Sequence, residues 1–177
     1  MLTVLLGGAR SGKSALAVEM ATRGDGAVSY VATSPMIAGD DDLSQRIARH
    51  RAERPSTWIT IEEELDLASA IAQVGTSVVI VDCLTVWAGN MLHHGRDEQA
   101  MLDASDGAIS AISDRGLVAI VISNEVGMGI VPVNDLARAY RDALGRVNQR
   151  WVAASDHALL MLAGRALPLY EPHDLLR

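Results

Sequence analysis

An α/β fold is predicted for this chain: one domain over residues 1–177, built as a mainly parallel sheet flanked by helices on both faces, a three-layer sandwich. Three observations predict it. Short apolar runs of β type alternate with helical patterns along the whole length. The first run, Thr3–Leu6, leads into Gly7-Gly8-Ala9-Arg10-Ser11-Gly12-Lys13-Ser14, which fits the phosphate-binding loop Gly-x-x-x-x-Gly-Lys-Ser/Thr at every specified position. A later run, Val78-Val79-Ile80-Val81, ends on Asp82, the form of an acid that helps hold Mg2+ beside such a loop. Strand, glycine-rich loop and helix in that order make this a sheet of the P-loop NTPase type.

The elements follow in order. Thr3–Leu6 opens the sheet, and Ser14–Met20 reads as the helix after the loop. Val28–Ala32 is the second strand, and Asp40–Arg54 and Glu63–Gln73 are short amphipathic helix candidates. Ser77–Asp82 is the third strand and Leu117–Ile122 the fourth. Leu136, Tyr140, Leu144, Val147 and Trp151 share one helical stripe, with Arg138, Asp142 and Arg146 elsewhere, the pattern of a core-packed helix. His157–Leu162 is a later strand and Leu167–Tyr170 a short final one. No internal repeat, low-complexity segment or linker divides the chain, so no second domain is expected.

Composition narrows the function classes. A net charge of −7 argues against a nucleic-acid footprint, which needs clustered positive surface. A nucleotide needs only a local basic pocket. Cys83 is the single cysteine, so no intramolecular disulfide forms and a reducing compartment is expected. The start has no basic region followed by a long apolar stretch, and runs such as Leu117–Ile122 are too short to span a bilayer. A soluble, cytoplasmic protein is expected.

Of fifteen Lys and Arg residues only Lys13 is lysine, so the compact ammonium stands at the one place where a planar guanidinium fork is a poor substitute. The loop's backbone N–H groups and the helix N-terminus face an anion, and the lysine reaches the β- and γ-phosphates. Ser14 supplies a hydroxyl to the same Mg2+ as Asp82. After the second strand, Arg46, His50 and Arg54 fall on one helical face. Flanking guanidiniums favour neutral imidazole, the nucleophilic form. Spacing alone is met as simply by a solvated basic face with an incidental histidine. The segment 123–132, after the fourth strand, either builds a second substrate's site or merely connects. His93 and His94 are adjacent and cannot share a helical face, so they read as a polar helix end before Gly95 rather than a metal pair. His157 and His173 carry no constellation.

With those residues in place, the chain resembles the bifunctional adenosylcobinamide kinase/adenosylcobinamide-phosphate guanylyltransferase family of cobalamin biosynthesis. The resemblance spans nearly the whole chain. It rests on the Gly7–Ser14 octet, Tyr30-Val31-Ala32-Thr33, Arg46-Ile47 with His50, and Arg54-Pro55 followed by Trp58. It continues through Val81-Asp82-Cys83-Leu84-Thr85, Asn124-Glu125-Val126-Gly127-Met128-Gly129-Ile130-Val131-Pro132, and Arg141-Asp142 with Gly145-Arg146-Val147-Asn148-Gln149. The 124–132 stretch is the most family-specific, since generic phosphate-loop kinases lack it. Three departures are visible: Asp40-Asp41-Asp42-Leu43 opens the histidine helix, Arg49 stands where some members carry a second histidine, and the tail Glu171–Arg177, to which no role is assigned, runs past the family's usual end.

The resemblance implies two reactions. One moves the γ-phosphoryl of ATP or GTP to a hydroxyl of adenosylcobinamide; the other moves GMP from GTP to the resulting adenosylcobinamide phosphate through a guanylyl-histidine, here His50, giving adenosylcobinamide-GDP and pyrophosphate. It also implies nucleotide contacts from Gly7, Gly8, Ala9, Arg10, Ser11, Gly12, Lys13, Ser14, Ala32, Thr33, Ser34, Arg51, Ala52, Glu53, Arg54, Glu62 and Asp82. Lys13 and His50 are the catalytic pair, Ser14 and Asp82 the Mg2+ pair, and a homotrimer is the implied assembly. Two other readings stay open on sequence alone: a phosphate-loop small-molecule kinase without a covalent step, and a non-enzymatic nucleotide-gated binding protein using 123–132 as a switch.

Overall fold

A computed structural model describes residues 1–24, 26–34 and 54–176 of the chain. Its sheet runs β1 (Leu2–Gly7), β2 (Val28–Ala32), β3 (Ile59–Glu62), β4 (Val78–Asp82), β5 (Val118–Ile122), β6 (His157–Leu162) and β7 (Arg165–Pro168). The helices are α1 (Lys13–Thr22), α2 (Leu67–Ala72), α3 (Leu84–His93), α4 (Glu98–Asp114) and α5 (Asp135–Ala153), with a 3-10 turn at Pro172–Leu176. The strands form one seven-stranded sheet in the order β3-β2-β4-β5-β1-β6-β7. β1 to β6 are parallel, and β7 returns antiparallel on β6. The α/β sandwich expected from the sequence is therefore present, with one antiparallel edge strand.

Alternation along the strands explains the layers, because successive side chains point to opposite faces. Leu5, Ile80, Ile120 and Ile122 face α1, where they pack on Ala17 and Ala21. Val4, Leu6, Val79, Val81 and Val121 face the opposite side, under α2 to α5. Both faces of the central strands are covered, so those strands are continuously apolar. Trp87 and Trp151 anchor the larger face, each fully buried. Truncating either to alanine should cost about 3–5 kcal/mol.

Several expected elements shift. β3, α4 and the body of α3 are elements that sequence patterning did not define. The final strand starts at Arg165 rather than Leu167, because Ala163 and Gly164, at φ 50° and 74°, make a two-residue hairpin turn. The second helix candidate shortens to Leu67–Ala72, because Asp66 caps it by accepting from Ser69 N at 2.9 Å. Of the candidate helix Asp40–Arg54, all but Arg54 lies outside the described residues, and Arg54 itself is not helical. On α5, Leu144, Val147 and Trp151 are buried as expected, but Leu136 is 70% exposed. The apolar stripe outruns the core by one turn.

Candidate functional site

Parallel strands bring their carboxyl ends to one edge of the sheet, where ligands of open α/β folds bind. Register fixes which residues meet there. Glu62, Ala32, Asp82 and Ile122 stand in one row across β3, β2, β4 and β5, and Leu5 of β1 pairs with Ile122. Gly7 ends β1 two residues beyond that row, and the phosphate loop leaves the sheet from it.

The loop's conformation depends on glycine at two points. Gly7 has φ 145°, and a Cβ there would lie 2.3 Å from the backbone oxygen of Met161. Gly12, at φ 97°, caps α1 and packs against Gly164 of the β6–β7 turn, whose N–H donates to Ser11 O at 3.0 Å. Thus the edge hairpin supports the loop from behind. Lys13 is 6% exposed, and its ammonium donates to Gly7 O at 2.8 Å, Gly8 O at 2.6 Å and Ser11 Oγ at 3.3 Å. Burial lowers its pKa, partly opposed by the charges of Cys83 and Asp82 nearby. The ammonium is the positive centre of this loop.

Asp82 closes β4. Its Oδ2 accepts a hydrogen bond from the Tyr30 hydroxyl, contributed by the adjacent strand. The Tyr30 ring stacks on Trp58 at 6.5 Å, and the Arg54 guanidinium carbon sits 3.3 Å over the ring centroid. Nε and Nη1 of Arg54 are buried with no hydrogen-bond partner. Unpaired buried guanidinium N–H groups suit an anion. Burial, reinforced by the Asp82 charge, raises the Tyr30 pKa, so the phenol stays a donor. The same two causes push the Cys83 thiol up to about 11.

A second layer of bonds fixes the edge. Thr33 Oγ1 donates to Cys83 O at 2.9 Å and accepts from Cys83 N at 2.8 Å, tying the end of β2 to the residue after Asp82. Asn90 of α3 donates to Thr33 O at 2.8 Å and Glu64 O at 3.2 Å, so α3 crosses the carboxyl edge toward β2 and β3. Thr85 Oγ1 accepts from Asn124 N at 2.6 Å, and Glu125 N donates to Gly7 O at 3.2 Å. Buried Asn148 holds that segment through Ser123 Oγ at 2.6 Å and Asn124 O at 3.0 Å. Sequence patterning singled out Asp82 and the 123–132 segment but not Tyr30, Thr85 or Asn148 as their supports.

The described structure therefore gathers Gly7–Ser14, Ala32, Thr33, Ser34, Glu62, Asp82 and Arg54 on two adjoining stretches of one edge. Arg46, His50, Arg51, Ala52 and Glu53 lie outside the described residues. Among the described residues no three His, Cys, Asp or Glu side chains cluster as a metal site. A phosphate-loop Mg2+ does not require one, because it takes a hydroxyl and a carboxylate and completes its shell with nucleotide phosphates and water. Ser14 at the start of α1 and Asp82 at the end of β4 offer one hydroxyl and one carboxylate at this edge. His93 and His94 pack edge to face on each other at the end of α3.

A parallel sheet with this loop and acid defines a protein of the phosphate-loop nucleotide-binding class. The model of the cobinamide kinase/cobinamide phosphate guanyltransferase family matches residues 3–169, and the chain belongs to that family. It is 39% identical over 172 residues to the bifunctional adenosylcobalamin biosynthesis protein CobP of Pseudomonas aeruginosa, covering 96% of this chain and 97% of that protein. The bifunctional adenosylcobalamin biosynthesis proteins CobU of Escherichia coli and Salmonella typhimurium are 37% and 36% identical over 179 residues, with 93% of this chain and 97% of each relative covered. The family resemblance carried by the motifs is thus borne out.

Proposed function

We propose that this chain catalyses both reactions of its family: phosphorylation of adenosylcobinamide by ATP or GTP, then transfer of GMP from GTP to adenosylcobinamide phosphate. The observation that carries it is the pairing of an intact phosphate loop with Asp82 on the same sheet edge, in a chain whose family match covers residues 3–169. The whole chain, 1–177, acts as one catalytic domain.

Phosphoryl transfer depends mainly on positioning and charge stabilisation. The loop amides and Lys13 hold the β- and γ-phosphates as charge gathers on them. Ser14 and Asp82 would hold Mg2+, which when bound would neutralise phosphate charge. Ala32, Thr33, Ser34, Glu62 and the Arg51–Arg54 segment contact the rest of the nucleotide. The acceptor hydroxyl oxygen attacks the γ-phosphorus, its proton leaves, and the bond to the β-phosphate oxygen breaks with its electron pair.

Guanylyl transfer uses His50 as nucleophile. A neutral imidazole nitrogen bonds to the α-phosphorus of GTP, and the α–β bridging bond breaks to release pyrophosphate. A phosphate oxygen of adenosylcobinamide phosphate then attacks the same phosphorus. The phosphorus–nitrogen bond breaks, its electrons return to His50, and adenosylcobinamide-GDP forms. Two displacements replace one difficult one. The working assembly is a homotrimer in the cytoplasm; among the described residues no helix is long and apolar enough to cross a membrane.

Incubation of the purified protein with γ-labelled and α-labelled GTP, with and without adenosylcobinamide, tests this reading. Label from the γ-position must reach adenosylcobinamide, and label from the α-position must reach the protein and then adenosylcobinamide phosphate. Failure of γ-transfer removes the kinase assignment, and failure of α-transfer removes the second reaction.

A further inference from the structure

The ladder between β1 and β5 runs past the end of β5. Ser123 N donates to Leu5 O at 3.0 Å, and Glu125 N donates to Gly7 O at 3.2 Å. A step of two residues on both strands is the spacing of a parallel ladder. The backbone therefore stays extended through Glu125, and side chains keep alternating between the two faces. Ile120 and Ile122 face α1. Ser123 faces the other way, where its hydroxyl donates to Asn148 Oδ1 at 2.6 Å. Asn124 turns back to the α1 face. Glu125 returns to the Asn148 side, and its carboxylate accepts from Gly127 N.

The α1 face carries the nucleotide chemistry. Asp82 shares it, since it follows Ile80 by two residues on β4 and bonds to Tyr30 of the same layer. Helix α1 packs on β1, β5 and β4 and brings Lys13 and Ser14 to that face. β5 lies between β1 and β4. Asn124 thus stands between the phosphate loop and Asp82, two residues beyond the level of Asp82 in the register.

Every bond that fixes Asn124 uses its backbone. Its N–H donates to Thr85 Oγ1 at 2.6 Å, and its carbonyl accepts from Asn148 Nδ2 at 3.0 Å. These replace the ladder partners that β4 stops supplying at Asp82. The half-buried carboxamide itself makes no hydrogen bond among the described residues. A rigidly held backbone that presents an unused donor to a phosphate site is a preorganised contact.

We propose that Asn124 is a catalytic residue of γ-transfer, its carboxamide N–H donating to an oxygen of the γ-phosphoryl group between Lys13 and Asp82. This rests on the kinase reading given above. Charge shifts over the phosphates as the bond to the β-phosphate oxygen breaks, and a neutral donor already in place stabilises that charge. The carboxamide forms no bond to phosphorus and exchanges no proton.

The test uses the intact protein with Asn124→Ala and Asn124→Asp, and titrates GDP and β,γ-methylene-GTP separately. Asn124→Ala should bind the triphosphate analogue about ten-fold more weakly, the loss expected for a hydrogen bond to a charged group. Its affinity for GDP, which has no γ-phosphoryl group, should stay within about two-fold. The kcat for transfer of γ-label to adenosylcobinamide should fall about a hundred-fold in Asn124→Ala. It should fall further in Asn124→Asp, whose carboxylate repels the phosphate. That order separates a ligand contact from a space-filling side chain, for which the isosteric Asp would be the milder change. Equal losses of GDP and analogue binding, near-normal γ-transfer in Asn124→Ala, or a milder Asn124→Asp would each overturn the assignment. The titrations need no acceptor, so they judge the contact apart from the kinase reading. An unaltered protein that transfers no γ-label would overturn that reading and the catalytic role with it, whatever the titrations give.

Discussion

The Tyr30 hydroxyl on β2 donates a hydrogen bond to Oδ2 of Asp82 on β4, while the Arg54 guanidinium lies across the Tyr30 ring. One buried phenol thus orients the carboxylate through its hydroxyl and seats a cation over its ring face. Outer partners of metal-holding carboxylates act on metal affinity through orientation. Tyr30→Phe keeps the ring, and with it Trp58 and Arg54, but removes the donor. The Mg2+ concentration for half-maximal γ-transfer should rise roughly ten-fold, with GTP affinity at saturating Mg2+ little changed. An unaltered Mg2+ titration would show that Tyr30 does not position Asp82.

Lys13 uses three N–H donors on Gly7 O, Gly8 O and Ser11 Oγ within a buried pocket. A guanidinium of fixed planar geometry cannot reproduce that compact arrangement. Both Lys13→Arg and Lys13→Ala should lower the rate of γ-transfer by at least about a hundred-fold. Near-normal turnover of either variant, measured with adenosylcobinamide, would contradict the assignment.

Gly7 and Gly8 are neighbours with opposite tolerances. A Cβ on Gly7 meets Met161 O at 2.3 Å on a backbone of φ 145°, whereas one on Gly8 meets nothing within 4 Å. Gly7→Ala should cost about 2 kcal/mol or more, a Tm fall of roughly 4–8 °C. Gly8→Ala should melt with the unaltered protein. Equal melting temperatures for all three proteins would contradict the described loop.

Cys83 sits beside Asp82 with its thiol pushed up to about 11 from an ordinary 9.0. At pH 8 the thiolate fraction is then about one-hundredth of that of an exposed cysteine. Iodoacetamide should modify the folded protein correspondingly slowly and the urea-unfolded chain at the rate of a small thiol. Fast modification of the folded protein would contradict the raised thiol of this half-buried residue.

What the sequence made legible follows from how locally the information is written. The phosphate loop, its strand and its helix occupy one contiguous stretch, and Asp82 closes a run of four apolar residues. Each could be placed without tertiary knowledge. β3 escaped because it is four residues long and largely exposed, so Ile59 and Ile61 gave too short an alternation. α4 escaped because its buried positions include Ser105 and Ala108, which weaken the apolar period. Periodicity places Leu136 on the core stripe although it is exposed, because periodicity cannot say where a helix leaves the sheet. The Tyr30–Asp82 and Ser123–Asn148 bonds join residues 52 and 25 positions apart, and only the sheet order and α5 bring them together.

His50 carries the part of the account that no other residue can replace, since the covalent step stands or falls with it. The most direct measurement is the transfer of α-labelled GMP to the unaltered protein and to His50→Ala. The unaltered protein should take up label in a bond that is labile to acid and stable to base, as a phosphorus–nitrogen bond is. His50→Ala should take up none and make no adenosylcobinamide-GDP, while retaining part of its γ-transfer, which needs no protein nucleophile. A His50→Ala protein that still accumulates α-label, or still forms adenosylcobinamide-GDP, would contradict the account.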